Sequence, residues 1–491
     1  MTDEREYREK RWAALALLCM AQFVVVLDAS IVNVALPTIG SDLNFDQDNL
    51  SWVINAYILA FGGFLLLGGR LADLLGRRRV FIAGLILFAA ASLVGGFAES
   101  EEFLIAARAA QGLGAALLSP AALSIITTTF KDGSERNKAL GVWGAVAGSG
   151  GAAGVLLGGV LTEYAGWEWV LWVNVPIGII AALLAPRLIL ESRSEDENRS
   201  FDVPGAVTVT GGLALFVYAL VEAPDAGWDS TQTLGLLGLA IVILAAFVAI
   251  ELRSEKPLVP FRIFRLRTLT GANVVGLLTG ASLFSMFFFI SLYMQNVLGY
   301  SAIKAGLSYL PLAVTIILAA GIASQLVTKI GFKPVMAMGM GFIAAGLAWF
   351  SQISVDGSYL SDVLFPSLLA AIGLGFSFVP TTIAAMSGVE DREAGLASGV
   401  INTSQQIGGA LGLAILSSIA FSRIGDLAAQ GETGPAALTE GYGDAFMVGS
   451  GIALLGIAAS LILIRNSDSK EHTEIGVGES APVAAPAGDP V

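Results

Sequence analysis

Residues 50–97 read LSWVINAYILAFGGFLLLGGRLADLLGRRRVFIAGLILFAAASLVGGF, and this stretch decides the fold. Two apolar runs, Leu50 to Leu67 and Val80 to Phe97, flank a short segment holding Arg70, Arg77, Arg78 and Arg79. Hydrocarbon gives a backbone N–H or C=O no water to bond, so a crossing segment must be a helix of roughly 20 apolar residues that pairs its own polar groups. Both runs come close to that length. The arginines between them mark the side on which the chain turns back.

Working outward, the same kind of run recurs along the chain. Trp12 to Leu36, Phe103 to Thr127, Leu140 to Leu161 and Trp167 to Leu184 complete a first set of six. Val203 to Val221 and Leu234 to Ile250 form a separate pair. A last set of six reads Gly271 to Leu292, Ala305 to Val327, Pro334 to Trp349, Val363 to Met386, Leu396 to Phe421 and Ala445 to Ile464. The sequence therefore predicts an all-α polytopic membrane protein of 14 transmembrane helices. Its expected parts are an N-terminal segment (1–11), a six-helix bundle (12–190), an inserted two-helix segment with its flanking loops (191–267), a second six-helix bundle (268–465) and a disordered tail (466–491). The first run is too long for a signal-peptide core and is expected to remain in the mature protein.

Composition agrees: of 491 residues 55% are hydrophobic and 14% charged, with a mean hydropathy of +0.75, far from a soluble chain of this length. The single cysteine, Cys19, lies in the first apolar run, and the single histidine, His472, lies in the tail. Disulfides, histidine metal sites and Ser/His or Cys/His catalytic sets therefore have no basis here, and neither an enzyme, a metal nor a cofactor is expected. No G-x-x-x-x-G-K-[S/T] string supplies a nucleotide-phosphate loop, so energy must come from a gradient or a partner. The run at Gly148 to Gly154 superficially matches a dinucleotide fingerprint, but no strand precedes it.

With the N-terminus inside, 24 of the 27 basic residues fall on the inner side, Lys304 and Arg423 outside, and Arg108 within the membrane. Asp42, Asp46, Asp48, Glu99, Glu101, Glu102, Asp225 and Asp229 are then outer-loop acids. An even number of spans with both ends cytoplasmic produces this alternation. The net charge of −13 reflects that sorting and gives no nucleic-acid signal. In KPLVPFRIFRLRTL, Phe261, Phe264 and Leu266 interleave with Arg262, Arg265 and Arg267, as a short helix on the inner surface requires.

Asp28 and Arg108 stand well inside spans one and four. Each charge would cost about 2.5–3.5 kcal/mol at a helix centre, so such residues face a cavity or each other. Their distances from the outer span ends match, ~12 and ~8 Å at about 1.5 Å per residue. Asp28 reads as a proton carrier tuned by Arg108; held static, the pair would only fix helix packing. In GGRLADLLGRRRVF, the spacing of Gly69, Asp73 and Gly76 exceeds what a basic inner loop needs: the glycines suggest a close helix contact and a tight turn, Asp73 either pairs with Arg77 or binds a helix N-terminus, and the basic cluster with Arg78 anchors the loop at the inner surface. Glycines of span five, among them Gly150, Gly154, Gly158 and Gly159, leave a nearly bare face for helix packing. Gln22, Asn33, Asn55, Tyr57, Gln111, Asn273, Asn402, Gln405 and Gln406 are candidates for a substrate cavity, because lipid would leave them unsatisfied. Phe284, Phe287, Phe288, Phe289 and Tyr293 either line a lipophilic pocket or pack towards lipid.

These segments resemble the major facilitator superfamily, and within it the fourteen-span drug/proton antiporters of the QacA and EmrB types. GGRLADLLGRRR resembles the superfamily's motif A, LDASIVNVALPTI (Leu27 to Ile39) the first-span motif of the fourteen-span group, and ARAAQGLGAALLSP its motif B, which contains Arg108. AGLASGVINTSQQIGGALG in span thirteen is similar to that group, and GSGGAAGVLLGG resembles motif C except that Val155 stands where the pattern has proline. An alignment of GGRLADLLGRRRV with ASQLVTKIGFKPV pairs Leu71 with Leu326, Gly76 with Gly331, Arg78 with Lys333 and Val80 with Val335, a trace of duplication. The resemblance implies a monomeric secondary exporter in the plasma or inner membrane, taking protons one way and small lipophilic or cationic molecules the other, with roles in proton transfer for Arg108 and in gating for the motif A residues. A dedicated exporter of one metabolite or antibiotic, an uptake symporter, or a receptor keeping the fold would share these motifs. The topology has a direct check: a cysteine at Asp229 is expected to react with an impermeant thiol reagent in intact cells, and labelling only after permeabilisation would refute it.

Overall fold

The computed structural model describes residues 2–45, 50, 52–130, 133–193, 202–254 and 257–469; for residues 2–9, 37, 148, 152, 224, 225, 284, 285 and 302 only the backbone is described. Asp46, Asp48 and the tail beyond residue 469 thus lie outside the described residues. Among those described, 14 spans are long and apolar enough to cross a bilayer, matching the expected number.

The first bundle comprises α1 (Thr2–Asp42), α2 (Trp52–Leu75), α3 (Arg77–Gly95), α4 (Glu101–Thr129), α5 (Ser134–Tyr164) and a broken sixth span, α6 (Glu168–Trp172) followed by α7 (Asn174–Leu188). The inserted pair is α8 (Val203–Ala226) and α9 (Thr231–Glu251). The second bundle comprises α10 (Arg267–Leu292), the split span α11 (Ala302–Ser308) and α12 (Leu310–Ile330), then α13 (Phe332–Phe350), α14 (Phe365–Met386), α15 (Ala394–Ala429) and α16 (Pro435–Leu463). Both described chain ends lie on one face, here the terminal face. Several helices begin at a side-chain cap that satisfies an orphan N–H: Ser100 accepts from Phe103 N, Asp202 from Gly205 N, Ser230 from Thr233 N and Ser301 from Lys304 N. The surface segment expected after the inserted pair is one tight 3-10 turn, Phe261–Arg265. Residues 466–469 form a further helical turn, so the expected unstructured tail does not begin at 466.

The duplication is visible in bonds. Gly76 and Gly331 each turn the chain with positive φ, +112° and +83°, a conformation in which a side chain would be strained. Just past each turn a basic residue is tied to the segment that ends its own bundle. Arg78 donates its backbone N–H to Glu191 (3.1 Å) and its guanidinium to Ile189 O (3.1 Å). Lys333 donates its backbone N–H to Ser469 Oγ (3.3 Å) and its ammonium to Ile464 O (2.9 Å). Prolines interrupt the corresponding helices, Pro120 in α4 and Pro380 in α14. Each removes one backbone bond from its helix.

Across the bundles, α5 lies along α12 and α11, and α2 lies against α15, with α8 packed beside both α2 and α15. The helix α9 touches chiefly α8, and its apolar side chains, including Leu234, Leu239, Ile241 and Val242, are exposed on the outer surface and face lipid. Within the first bundle the bare face of α5 seats α1: Gly150 meets Val26, Gly154 meets Ser30 and the Leu27 carbonyl, and Gly158 meets Ile31 and Val34. Gly159, expected in the same contact, instead meets Ile303 of α11 in the other bundle. A Cβ on Gly154 would come within 2.7 Å of the Leu27 carbonyl oxygen, whereas one on Gly151 would meet nothing within 4 Å. Gly154→Ala is therefore expected to lower the thermal midpoint of the purified protein by an overpacking penalty of about 1–3 kcal/mol, and Gly151→Ala to leave it unchanged. Equal midpoints for the two variants would refute the contact.

Candidate functional site

Because α5 grips the Val26–Ser30–Ile31 side of α1, the opposite side turns Asp28 into the bundle interior. There its carboxylate is wholly buried (0% exposed) and receives three donors from two other helices. Arg108 Nη1 of α4 donates to Oδ2 (2.6 Å), while Gln111 Nε2 of α4 and Asn174 Nδ2 at the start of α7 donate to Oδ1 (both 2.7 Å). Ser92 Oγ of α3 accepts from Gln111 and Asn174 (both 3.1 Å) and donates to Leu171 O (2.7 Å). Arg108 is satisfied in turn: Nε donates to Val53 O (3.0 Å), Nη1 also meets Gln111 Oε1 (2.6 Å), and the guanidinium carbon lies 4.4 Å from the Tyr57 ring centroid. A buried ion pair repays its desolvation only with such geometry and added hydrogen bonds.

The residue types explain the set. Carboxylate oxygens accept only, so primary amides and a guanidinium are the fitting partners, and each amide has a second N–H for Ser92. The break between α6 and α7 puts Asn174 at a helix start, level with Asp28. Asp28 and Arg108 were expected to lie at one depth, and the structure brings them into contact. Tyr57 and Gln111, expected in a substrate cavity, belong to this sealed network instead, each 1% exposed. Ser92 and Asn174 were not foreseen; the only sequence signal for them was a polar residue inside an apolar run.

The second constellation joins the bundles at the terminal face. Asp73 at the end of α2 is buried and accepts from Arg77 Nη2 (2.8 Å), Gly395 N (3.0 Å) and Leu396 N (2.9 Å). It thus caps the N-terminus of α15, where a negative charge is favoured by the unpaired N–H groups and the helix dipole. Arg77 also donates to Asp391 O, just before α15. Gly69 and Gly395 meet backbone to backbone, and a side chain on either would strike the other's carbonyl oxygen. Gly76 supplies the turn and Arg78 the tie to Glu191 described above. Asn137 Nδ2 to Thr328 Oγ1 (2.9 Å) and Arg136 Nη2 to Met386 O (3.4 Å) add cross-bundle bonds at the same face.

The other cavity candidates lie on α1, α2, α10 and α15. Gln22 is buried with its Oε1 unbonded, Asn33 is exposed and bonds back to Ala29 O, and Asn55 is half-buried. Asn273 is buried and accepts from Ser404 Oγ (3.0 Å), Asn402 bonds back to Ser398 O, and Gln405 and Gln406 are half-buried. Of the aromatic run, Phe289 and Tyr293 are core residues, Phe289 packing on Tyr442 and Phe446, which overturns a pocket or lipid-facing place for those two. Phe287 is half-buried against Tyr309, Phe288 is exposed, and the side chain of Phe284 lies outside those described.

Two six-helix bundles bridged at one face, with an ion pair inside the first, are the architecture of a membrane transporter. The chain belongs to the Major Facilitator Superfamily, whose profile matches residues 18–413. It is 42% identical over 475 residues to the Cephamycin export protein CmcT of Amycolatopsis lactamdurans, covering 96% of each chain. It is 39% identical to the Puromycin resistance protein pur8 of Streptomyces alboniger, covering 96% of this chain and 95% of that one. With the Multidrug transporter protein MdtP of Bacillus subtilis (strain 168) it shares 34% identity, over 86% and 77% of the two chains. The structure of the human organic anion transporter MFSD10 (TETRAN) superimposes with a TM-score of 0.65 at 16% identity, covering 92% of this chain and 99% of that one, which supports the fold.

The network's energetics can be read by a mutant cycle. Arg108→Gln leaves a buried carboxylate without its cation and is expected to destabilise by about 3–5 kcal/mol. Asp28→Asn combined with Arg108→Gln should recover most of that loss, because no bare charge remains. Unfolding in detergent measures both, and strictly additive losses would show that the pair does not act as a unit.

Proposed function

We propose that this protein is a proton-coupled exporter of small lipophilic or cationic molecules in the cell membrane, with both termini cytoplasmic. The observation that carries the coupling half is the Asp28–Arg108 pair, a titratable group sealed among α1, α3, α4 and α7 with its counter-ion beside it. Protonation would cancel the carboxylate's charge and leave Arg108 free to re-pair. The spans that hold the carboxylate would then find a different best packing, which is the two-state element that coupling requires. Asp73 is the counterpart at the terminal face. Its bond to α15 favours the state closed on that side, and the bond has to break for the cytoplasmic side to open. Substrate binds between the bundles, along the faces of α1, α2, α10 and α15 that present Gln22, Asn33, Asn55, Asn273, Phe288, Asn402, Gln405 and Gln406.

The export direction rests on the relatives, which are named for export of, or resistance to, antibiotics and for multidrug transport. Their names favour a second reading, a dedicated exporter of one antibiotic-like compound, because two relatives that match over nearly the whole chain are each named for a single antibiotic. In the antiporter-like segment of α5, Val155 replaces the proline of the related pattern. The backbone at Val155 and Leu156 instead receives Gly306 of α11, a close helix contact that does not depend on a kink. A membrane potential near 150 mV is worth about 3.5 kcal/mol per charge, so one proton sustains a roughly 300-fold substrate gradient.

The test is transport by purified protein in liposomes under an imposed pH gradient, with cephamycin-type, puromycin-type, cationic and neutral compounds. Asp28→Asn is expected to abolish pH-driven accumulation while retaining substrate exchange, and Asp28→Asn with Arg108→Ala to be no worse than Asp28→Asn alone. Undiminished pH-driven transport by Asp28→Asn, at normal expression and orientation, would leave the pair a packing element.

A further inference from the structure

The segment joining the inserted pair to the second bundle has two sides. On one, Leu258, Val259 and Ile263 are buried in an apolar cluster with Phe247 of α9, Leu213 of α8 and Leu396 of α15. Its start is fixed by Glu251, which accepts from Leu258 N (3.2 Å) and Val259 N (3.0 Å). On the other side Arg262, Phe264, Arg265, Leu266 and Arg267 are all exposed. Arg253, Arg265 and Arg267 have no carboxylate within ion-pair distance among the described residues. Lipid lies beside them, because the adjoining α9, apart from the face it packs on α8, exposes apolar side chains along its length, and Leu252 just past its end is 71% exposed.

We propose that residues 257–267 dock anionic phospholipid headgroups at the terminal face and pass their presence to the contact that closes that face. Arg265 and Arg267 bind phosphate, and Phe264 and Leu266 lie at the acyl boundary, the arrangement of an interfacial anchor. The link to the closure is Arg262. Its Nη2 lies 2.6 Å from Oε1 of Glu393, the residue preceding α15, while its side chain is 56% exposed and within reach of a headgroup. Phosphate and carboxylate compete for a guanidinium in the same bidentate fashion. A headgroup that draws Arg262 outward therefore loosens the N-terminus of α15 on one side, while Asp73 holds it on the other.

The experiment needs no transport, so its failure is distinct from failure of the export reading. Full-length protein in detergent is titrated with dansyl-labelled phosphatidylglycerol, with phosphatidylcholine as the neutral lipid and glycerol 3-phosphate as the bare headgroup. Arg265→Gln with Arg267→Gln is expected to weaken phosphatidylglycerol binding about 30-fold, since each surface arginine contributes about fivefold, and to leave phosphatidylcholine unchanged. Unaltered phosphatidylglycerol binding by that variant, or displacement of the lipid by glycerol 3-phosphate at matching concentration, would overturn the docking site. For the coupling, Ser398→Cys in a Cys19→Ser background reports opening at the buried first turn of α15. Phosphatidylglycerol should raise its alkylation rate several-fold in that protein and not when Arg265→Gln and Arg267→Gln are added; a lipid-independent rate would remove the coupling.

Discussion

A carboxylate that leaves water for the interior of a helical bundle must find its donors in the protein, and the first bundle is arranged around that requirement at Asp28. One guanidinium and two amides meet its two oxygens, and Ser92 takes up the second N–H of each amide. Four helices are held in register by this one charge. Removing a single member leaves a polar group in low dielectric, so the set is strongly interdependent. In the proposed function that same dependence is what a proton on Asp28 would act on, since neutralising the carboxylate alters the best arrangement of the whole set.

The glycines of α5 serve that arrangement from behind. They bring α1 close enough that Asp28 has one direction to face, and further along the helix Gly159 reaches the other bundle at Ile303. One helix thus contacts both the spans around the charge and the partner bundle. At the terminal face Asp73 on α2 and Arg77 at the start of α3 do the corresponding work by meeting the start of α15. That contact is a cap, a few hydrogen bonds to N–H groups that the helix itself leaves unpaired.

The duplicated turns at Gly76 and Gly331 show how two halves of different sequence retain one construction. The donors are alike, Arg78 and Lys333, and so are the carbonyls they reach, Ile189 and Ile464, while Glu191 in one half is replaced by Ser469 in the other. The inserted pair interrupts the duplication without disturbing it. One helix lies beside α2 and α15, and the other packs on that helix and turns its remaining surface to lipid.

The number of spans, the sorting of basic residues and the matched depths of Asp28 and Arg108 were legible in the sequence, because a bilayer imposes length and polarity on each segment separately. So was the special character of Gly69, Asp73 and Gly76, whose spacing a simple basic loop does not require. The partners were not legible. Nothing local in residues 92 or 174 says that a serine and an asparagine from α3 and α7 will meet the carboxylate of α1, or that Tyr57 and Gln111 will be sealed with it rather than exposed to substrate. Nor does the aromatic run of α10 show that Phe289 faces the core and Phe288 does not. Those outcomes depend on how each helix is rotated against its neighbours. Rotation is fixed by close contacts such as Gly154 on the Leu27 carbonyl and Gly69 on Gly395, between residues far apart in the chain.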